Sequence, residues 1–419
     1  MFGDARVDVS CIRSLTEESR MVIHLFTHDV QSSITLQKNP LISFSEFNFD
    51  LPAARDLWKS PTAEAWRDKY LSKGQAMGEM LVPRVSEIGH RIDALDEMNE
   101  LVDVDLCYAV LLHGFWGQIN AYRDSVRFYI PAESRTSISG HGKRNSTHRL
   151  WLASQHQELY RDVGEFSTMI QSYRLPSHFR DEPSIRGSPS VADSRDLVLV
   201  AELFQMILHV SLDDLQNFAG KSGEEEARRA TAYLEDSWVT SSEARHAAWH
   251  AGQVLHHARR MRPASLRNFN AVTVYLASLT LWAYGMLSSN GDHGRGAVTG
   301  DRGHGSKPSP RILVLLDGEE NQETKAYLQL GRGIPGLTDP GGAQGGVEFL
   351  ANPGVALVIA QDLLQDNFPV RGEPLPPLVE SIGKLLRDLG SGPTGTGKPS
   401  RAASENAESL AETTRFVCS

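Results

Sequence analysis

The sequence is short of cysteine, of net positive charge and of an apolar leader, and each shortage argues against a class of protein. Its 419 residues contain three cysteines, Cys11, Cys107 and Cys418, too widely spaced for a CxxC zinc site or a disulfide framework. The formal net charge of −10 has the wrong sign for a chain that binds nucleic acid by neutralising phosphates. Such cysteine usage favours a reducing compartment, and the polar opening MFGDARVDVS predicts no secretory signal.

Long uncharged runs are also scarce, and the one that stands out is interpreted as a core helix. No charge occurs between Arg267 and Asp292, and residues 271–287 approach the roughly 20 apolar residues that cross a bilayer. Polar or small residues interrupt the run at Thr273, Ser278, Thr280 and Gly285. Because these residues lower the tendency to insert, we expect a buried helix and no membrane partner.

Apolar residues recur three and four positions apart through most of the chain, which predicts an all-α, bundle-like domain with long loops. A first helix is expected before residue 38, with Met21, Val22, Leu25 and Phe26 on its apolar face. A second should begin with Ser60 as N-cap and Pro61 at the first helical position. Further helices are predicted over 77–129, 147–173, 195–218, 224–236, 242–261, 266–287, 324–330, 356–366 and 378–389.

Composition divides the chain into five segments. We expect an N-terminal helix and irregular segment over 1–75, a helical core over 76–287 and a C-terminal helical segment of the same domain over 311–390. Residues 288–310 are rich in glycine and serine, which predicts a disordered linker, and the low-complexity tail 391–419 is also expected to be disordered.

Two glycine-rich motifs resemble phosphate-binding loops in their letters alone. GPTGTGKP, Gly392 to Pro399, has the G-x4-G-K spacing, but Pro399 replaces the Ser or Thr that would bind magnesium. GRGIPG, Gly331 to Gly336, follows a predicted helix instead of a strand, and Pro335 and Pro340 prevent a helix from starting. A flexible tail and a glycine turn at a helix C-cap are therefore predicted, with no nucleotide cofactor.

A histidine-rich helix is the strongest candidate for metal chemistry. Glu243, His246 and His250 lie on one helical face at the spacing that metal ligands use, and His257 continues it. A helical metal site needs ligands from a second helix, and the candidates we find are Glu202, Asp213 and Asp214. The interpretation we adopt is a polar face with a partly buried histidine, so no metal ligand is assigned.

Two further groups have structural interpretations of the same kind. Arginines at the predicted C-terminus of that helix complement the helix dipole, although they could receive a phosphate or an acidic partner. They are Arg259, Arg260, Arg262 and Arg267. The aromatic residues Trp116, Trp249 and Trp282 could enclose a small apolar ligand, but core packing explains them equally well. No catalytic, cofactor-binding, metal or DNA-binding residue is assigned, and the chain is expected not to be an enzyme.

Three patches, in order along the chain, resemble the fungal-specific transcription factor domain, the middle homology region. The first covers residues 26–66, with Asp29, Pro40, Leu51, Pro52, Leu57, Trp58 and Trp66. The second covers two late helices, with Trp249, His250, Ala251, Gly252, Leu281, Trp282, Tyr284 and Gly285. The third contains RILVLLDG and LPPLVESIGKLLRDLG, with Leu316, Asp317, Gly318, Gly331, Gly333, Pro335, Pro376, Pro377, Leu378 and Val379.

The resemblance implies a regulatory region that governs a DNA-binding module, either two Cys2His2 fingers or a binuclear zinc cluster. That module is expected to be missing from this chain, so zinc is expected only there and DNA is reached only through it. The resemblance also implies a nuclear location, transcription machinery or other transcription factors as partners, and a possible homodimer. The alternative left open is a helical metal-binding enzyme that uses Glu243, His246 and His250.

Overall fold

The computed structural model describes residues 9–77, 83–89, 95, 98–130, 145–173, 194–295, 312–339, 346–352, 354–368 and 374–391. Within these ranges the chain is largely helical with one small sheet, which confirms the all-α prediction. The G-x4-G-K segment 392–399 lies outside them, as do the predicted tail after residue 391 and the predicted linker from 296 to 310.

The described residues form fourteen α-helices. They are α1 (Val9–Leu36), α2 (Arg55–Trp58), α3 (Ala63–Met77), α4 (Val85–Ile88), α5 (Val104–Tyr129), α6 (Asn145–Tyr173), α7 (Ser194–His209), α8 (Leu212–Phe218), α9 (Glu224–Tyr233), α10 (Ser242–Arg259), α11 (Phe269–Arg295), α12 (Gln322–Leu330), α13 (Gly354–Asp366) and α14 (Pro377–Ser391). A 3-10 turn (Phe44–Glu46) and a π-helical turn (Leu234–Trp238) complete the helical elements of the described residues. The strands are β1 (Leu313–Leu315), β2 (Ile334–Thr338) and β3 (Val347–Phe349).

Two predicted helices are divided in the structure. The helix predicted over 195–218 ends at His209, and α8 begins after Ser211, whose hydroxyl accepts a hydrogen bond from the amide of Asp214 at 3.3 Å. A capping side chain starts a new helix because it satisfies an amide that has no helical partner. The helix predicted over 77–129 was also too long, because its main part, α5, begins at Val104.

Two predicted helix ends were also placed wrongly. Ser60 does not cap α3, because its hydroxyl donates to the carbonyl of Asp56. Thr62 takes that role and accepts from the amide of Ala65 at 3.2 Å. The helix predicted to stop at residue 287 continues to Arg295, into the predicted linker.

The contacts divide the chain into two compact units. The first contains residues 1–120 and 165–197, and the second contains 121–164 and 198–419. In the first unit α1 buries one face at helical spacing, made of Ile23, Phe26, Val30 and Ile34. Met21 and Leu25, predicted to be apolar-face residues, are more than half exposed. The five predicted segment boundaries stay a prediction.

Helix α11 forms the core of the second unit. It packs against α8, α10, α13 and α14, and 83% of its most apolar window is buried inside the protein. By length and composition it is also the described helix that could cross a membrane. Its hydroxyl groups donate to backbone carbonyls of the same helix at 2.8 to 3.0 Å, in Thr273, Ser278 and Thr280. Their polar atoms are therefore satisfied internally, as a buried helix requires.

The small sheet has the order β1, β2, β3, with β1 parallel to β2 and β2 antiparallel to β3. GRGIPG joins α12 to β2. Gly331 ends α12 with a φ of +67°, which confirms the predicted glycine C-cap. Gly333 has a φ of +117°, and strand β2 begins directly after it at Ile334. Glycine is needed there because other residues rarely adopt such angles.

Candidate functional site

Within the second unit, residues of three helices bring a cluster of polar side chains together. We call it the histidine cluster, and its members are His156 and Tyr160 on α6, Glu202 and His209 on α7, and Glu243, His246 and His250 on α10. Residues on each helix lie three, four or seven positions apart, so each helix presents one face to the cluster. The cluster brings seven ionisable side chains together, three of which could hold a metal ion, so it is the candidate site.

His209 and Glu243 form the centre of the cluster. The Nδ1 atom of His209 lies 2.6 Å from Oε2 of Glu243, and Nε2 of His156 lies 3.5 Å from the same oxygen. Burial lowers the pKa of His209 to about 3, although the hydrogen bond to Glu243 opposes the shift. Burial also lowers the pKa of His156. At neutral pH both rings are therefore neutral beside a carboxylate.

His250 belongs to a closed network. Its Nδ1 lies 2.8 Å from Oε2 of Glu202, and its Nε2 lies 3.0 Å from the hydroxyl of Tyr160. Burial, followed by the charge of Glu202, raises the pKa of Tyr160 to about 12, so the phenol stays protonated. Its O–H therefore donates the hydrogen bond to Nε2 of His250. Both ring nitrogens of His250 are thus occupied, which leaves none for a metal ion.

His246 stands beside the centre of the cluster without joining it. Its Nδ1 donates to the carbonyl of Ser242 at 2.8 Å, and its ring stacks on that of His209 with centroids 5.0 Å apart. The three groups whose ligand atoms all lie within 4.8 Å of one another are His156, His209 and Glu243. The metal-binding alternative from the sequence used Glu243, His246 and His250, and of these three Glu243 alone belongs to this group.

His156 and His209 were not predicted as partners, because the candidates from a second helix were the acidic residues Glu202, Asp213 and Asp214. The available signal was weaker, a His-x3-Tyr pair on α6 and a histidine shortly before a capping serine. Of the acidic partners expected from the sequence, Asp213 pairs with Arg127, and Glu202 binds His250.

Helix α10 also holds the segment that follows β1. A Cβ atom built on Gly252 would lie 2.3 Å from the carbonyl oxygen of Leu316, so the two backbones touch. Next to it, Nε2 of Gln253 donates to the carbonyls of Leu316 and Gly318 at 2.9 and 2.8 Å. The absence of a side chain at Gly252 is what allows this close approach.

A buried ion pair completes the same contact. The side chain of Asp317 is fully buried and pairs with Arg259. Its Oδ2 accepts a hydrogen bond from the backbone amide of Thr338 at 2.9 Å. His256 adds a 2.8 Å hydrogen bond between its Nδ1 and the carbonyl of Asp317. The guanidinium of Arg259 is therefore engaged within the fold, in line with the structural interpretation of the arginine cluster.

The tryptophans considered as a ligand site each have a packing role. In the first unit, the indole of Trp116 donates to the hydroxyl of Ser33 at 2.8 Å. In the second, Trp249 is buried and Trp282 packs on Phe218 with ring centroids 5.2 Å apart. A cleft of about 50 Å³ beside His209 is lined by Arg123, Arg127, Ser211, Tyr233 and Trp238, and it has room for little more than water.

Comparison with known proteins gives one relevant likeness. A protein of Zymoseptoria tritici named as a transcription factor is 20% identical to this chain over 349 residues, which is 79% of this chain and 34% of that protein. The chain therefore spans about a third of the length of this curated relative. No family model matches the chain. No solved structure matches it. Most of the chain is thus similar to part of a protein named as a transcription factor.

Proposed function

We propose that this chain is the regulatory part of a fungal RNA polymerase II transcription factor and works in the nucleus. The observation that carries the proposal is the likeness over 349 residues to a protein named as a transcription factor. That likeness covers 79% of the chain, so it concerns most of the architecture and not one motif. The finer assignment, to the fungal-specific transcription factor domain, rests on the three patches that resemble it.

The structure supports this assignment by joining two of those patches. Gly252 lies in the second patch and Leu316 in the third, and their backbones are in direct contact. Asp317, also in the third patch, pairs with Arg259 at the end of the same helix. Residues from two of the patches that resemble the family therefore hold α10 against the segment that follows β1. This is expected if the patches contain residues that pack the domain.

The charge of the chain supports a role away from DNA. A net charge of −10 repels phosphates, so DNA would be contacted through a separate zinc-binding module. Transcription machinery or another transcription factor is the partner that such a region would regulate, and a homodimer is compatible with this role. No observation favours the alternative of a metalloenzyme that uses Glu243, His246 and His250.

The test is a reporter assay with the chain fused to an unrelated DNA-binding module. We expect the fusion to raise or lower reporter expression relative to the module alone. Gly252→Ala should abolish the effect because it separates α10 from the β1 segment, whereas Gly117→Ala should keep it, since a Cβ there meets no atom within 4 Å. A nuclear, stably accumulated wild-type fusion that leaves the reporter unchanged would refute the proposal.

A further inference from the structure

The histidine cluster contains the arrangement of a metal site in a chain whose sequence predicts none. We propose that His156, His209 and Glu243 bind a divalent transition-metal ion, with zinc as the best match to the ligands. The inference rests on the second unit alone and is independent of the proposed function. This ion would be distinct from any zinc in a separate DNA-binding module.

The distances between the three side chains suit such an ion. Zinc binds histidine nitrogen and carboxylate oxygen at about 2.0–2.2 Å, so tetrahedral ligand atoms lie about 3.3 Å apart. The separations from Oε2 of Glu243 to Nδ1 of His209 and Nε2 of His156 are 2.6 and 3.5 Å, on either side of that value. All three ligand atoms fall within 4.8 Å, so small side-chain rotations would complete the geometry.

The strongest observation is the state of the histidine nitrogens. His156 hydrogen-bonds the backbone of Leu208. Its buried Nε2 has no hydrogen-bond partner among the described residues, so Nδ1 makes that bond. A neutral ring held this way directs the Nε2 lone pair toward the carboxylate of Glu243, which is also an acceptor. Two facing acceptors repel each other unless a cation lies between them.

His209 has an unpaired acceptor of a different kind, because a neutral ring that donates its Nδ1–H to Glu243 leaves a lone pair on Nε2. Its Nε2 is buried and likewise lacks a hydrogen-bond partner in the described part of the chain. Leaving such an atom unsatisfied costs energy, so proteins rarely keep one without a reason. A metal ion bound at Nδ1 would take the place of the Nδ1 proton, and Nε2 would then carry the N–H of the ring. A histidine that binds a metal usually donates its other ring N–H to a nearby acceptor, which orients the ring. The hydrogen bond from His156 to the backbone of Leu208 is of this kind.

The donor set also suits a cation. His156 and His209 offer imidazole nitrogens and Glu243 offers a carboxylate oxygen, which are ligand types that zinc takes. Three protein ligands leave a fourth position for water or another ligand. The ion would link α6, α10 and the C-terminal end of α7, which are distant in sequence.

Metal titration of the full-length, tag-free chain tests the proposal. After removal of metal with a chelator, zinc binding would be measured by calorimetry, and cobalt would be used as a spectroscopic substitute. We expect one saturable site per chain and a rise in melting temperature with zinc. His156→Ala, His209→Ala and Glu243→Gln should each weaken binding by about 100-fold, since loss of an outer contact alone costs 10–100-fold.

Two control variants distinguish this site from nonspecific zinc binding and from the ligand set chosen by helical spacing. His148→Ala removes an exposed histidine two turns earlier on α6 and should leave zinc affinity unchanged. His246→Ala should also keep the site, whereas the set chosen from the sequence predicts its loss. Circular dichroism before titration identifies any variant that fails to fold, and Glu243→Gln is the mildest change. Absence of zinc binding, or wild-type affinity in folded His156→Ala and Glu243→Gln, would overturn the proposal.

Discussion

Replacement of Gly252 by alanine should separate α10 from the segment after β1. The new Cβ would lie 2.3 Å from the carbonyl oxygen, 2.5 Å from the carbonyl carbon and 2.7 Å from the Cβ of Leu316. Ordinary contacts begin near 3.4 Å, so one backbone must move by about 1 Å. Because the obstacle is mainly backbone, no side-chain rotation can relieve the overlap.

The magnitude follows from three contributions. Overpacking costs about 1–3 kcal/mol, and the upper end applies to a rigid backbone contact. The two hydrogen bonds from Gln253 to the carbonyls of Leu316 and Gly318 would be lost, which costs about 1 kcal/mol of stability each. Alanine returns about 1 kcal/mol because it favours the helix more than glycine does. We therefore expect a net destabilisation of about 4 kcal/mol.

Urea unfolding followed by tryptophan fluorescence measures the loss of stability, and hydrogen exchange localises it. Exchange should accelerate over residues 313–338, which the contact with α10 holds in place. Gly117→Ala is the matched control, because this exposed helical glycine has no atom within 4 Å of an added Cβ, and it should be neutral or stabilising by up to about 1 kcal/mol. Equal stability and equal exchange in the two variants would contradict the reasoning.

Other predictions concern buried polar groups and one helix cap. Asp317→Asn should destabilise the chain by about 3 kcal/mol in thermal or urea unfolding, because it leaves the cation of Arg259 without its carboxylate. A double variant with Arg259→Met and Asp317→Leu should recover part of this loss of stability. Burial lowers the pKa of His113 to about 4, below the value of 6.5 expected in the unfolded chain, so the unfolded state takes up the proton first. Stability should therefore fall by about 3 kcal/mol as the pH drops from 6.5 to 4, and a His113→Leu variant should lack this part of the pH dependence of unfolding. Thr62→Ala should cost about 1 kcal/mol in urea unfolding, whereas Ser60→Ala should not show the loss of a helix cap.

Fold class could be predicted because it depends on local periodicity. Apolar residues spaced three and four apart favour a helix with one buried face, and the extreme case, α11, is buried as expected. The glycine cap at Gly331 was predictable for the same reason, since it depends on backbone angles that glycine alone adopts easily. Helix ends were less predictable, because Ser60 and Thr62 are both favoured N-cap residue types and Ser is the better one, yet Thr62 caps the helix.

The candidate site could not be assembled from the sequence, because its members come from helices far apart in the chain. His156, His209 and Glu243 have no fixed spacing that a motif could describe. Their meeting depends on how α6, α7 and α10 pack against one another. Conversely, His250 has the regular spacing, but both of its ring nitrogens form hydrogen bonds, one with Glu202 and one with Tyr160. The spacing along the helix does not reveal these partners.

The sequence by itself determined that this is a helical chain of negative net charge with a deeply apolar helix near residue 280 and glycines at the turns. These properties follow from composition and from the period of each segment, which act over a few residues. Tertiary structure alone decided that Gly252 touches Leu316, that Asp317 pairs with Arg259 and that two histidines face Glu243. Such contacts join residues tens of positions apart, and their positions depend on how helices pack, which no local pattern specifies.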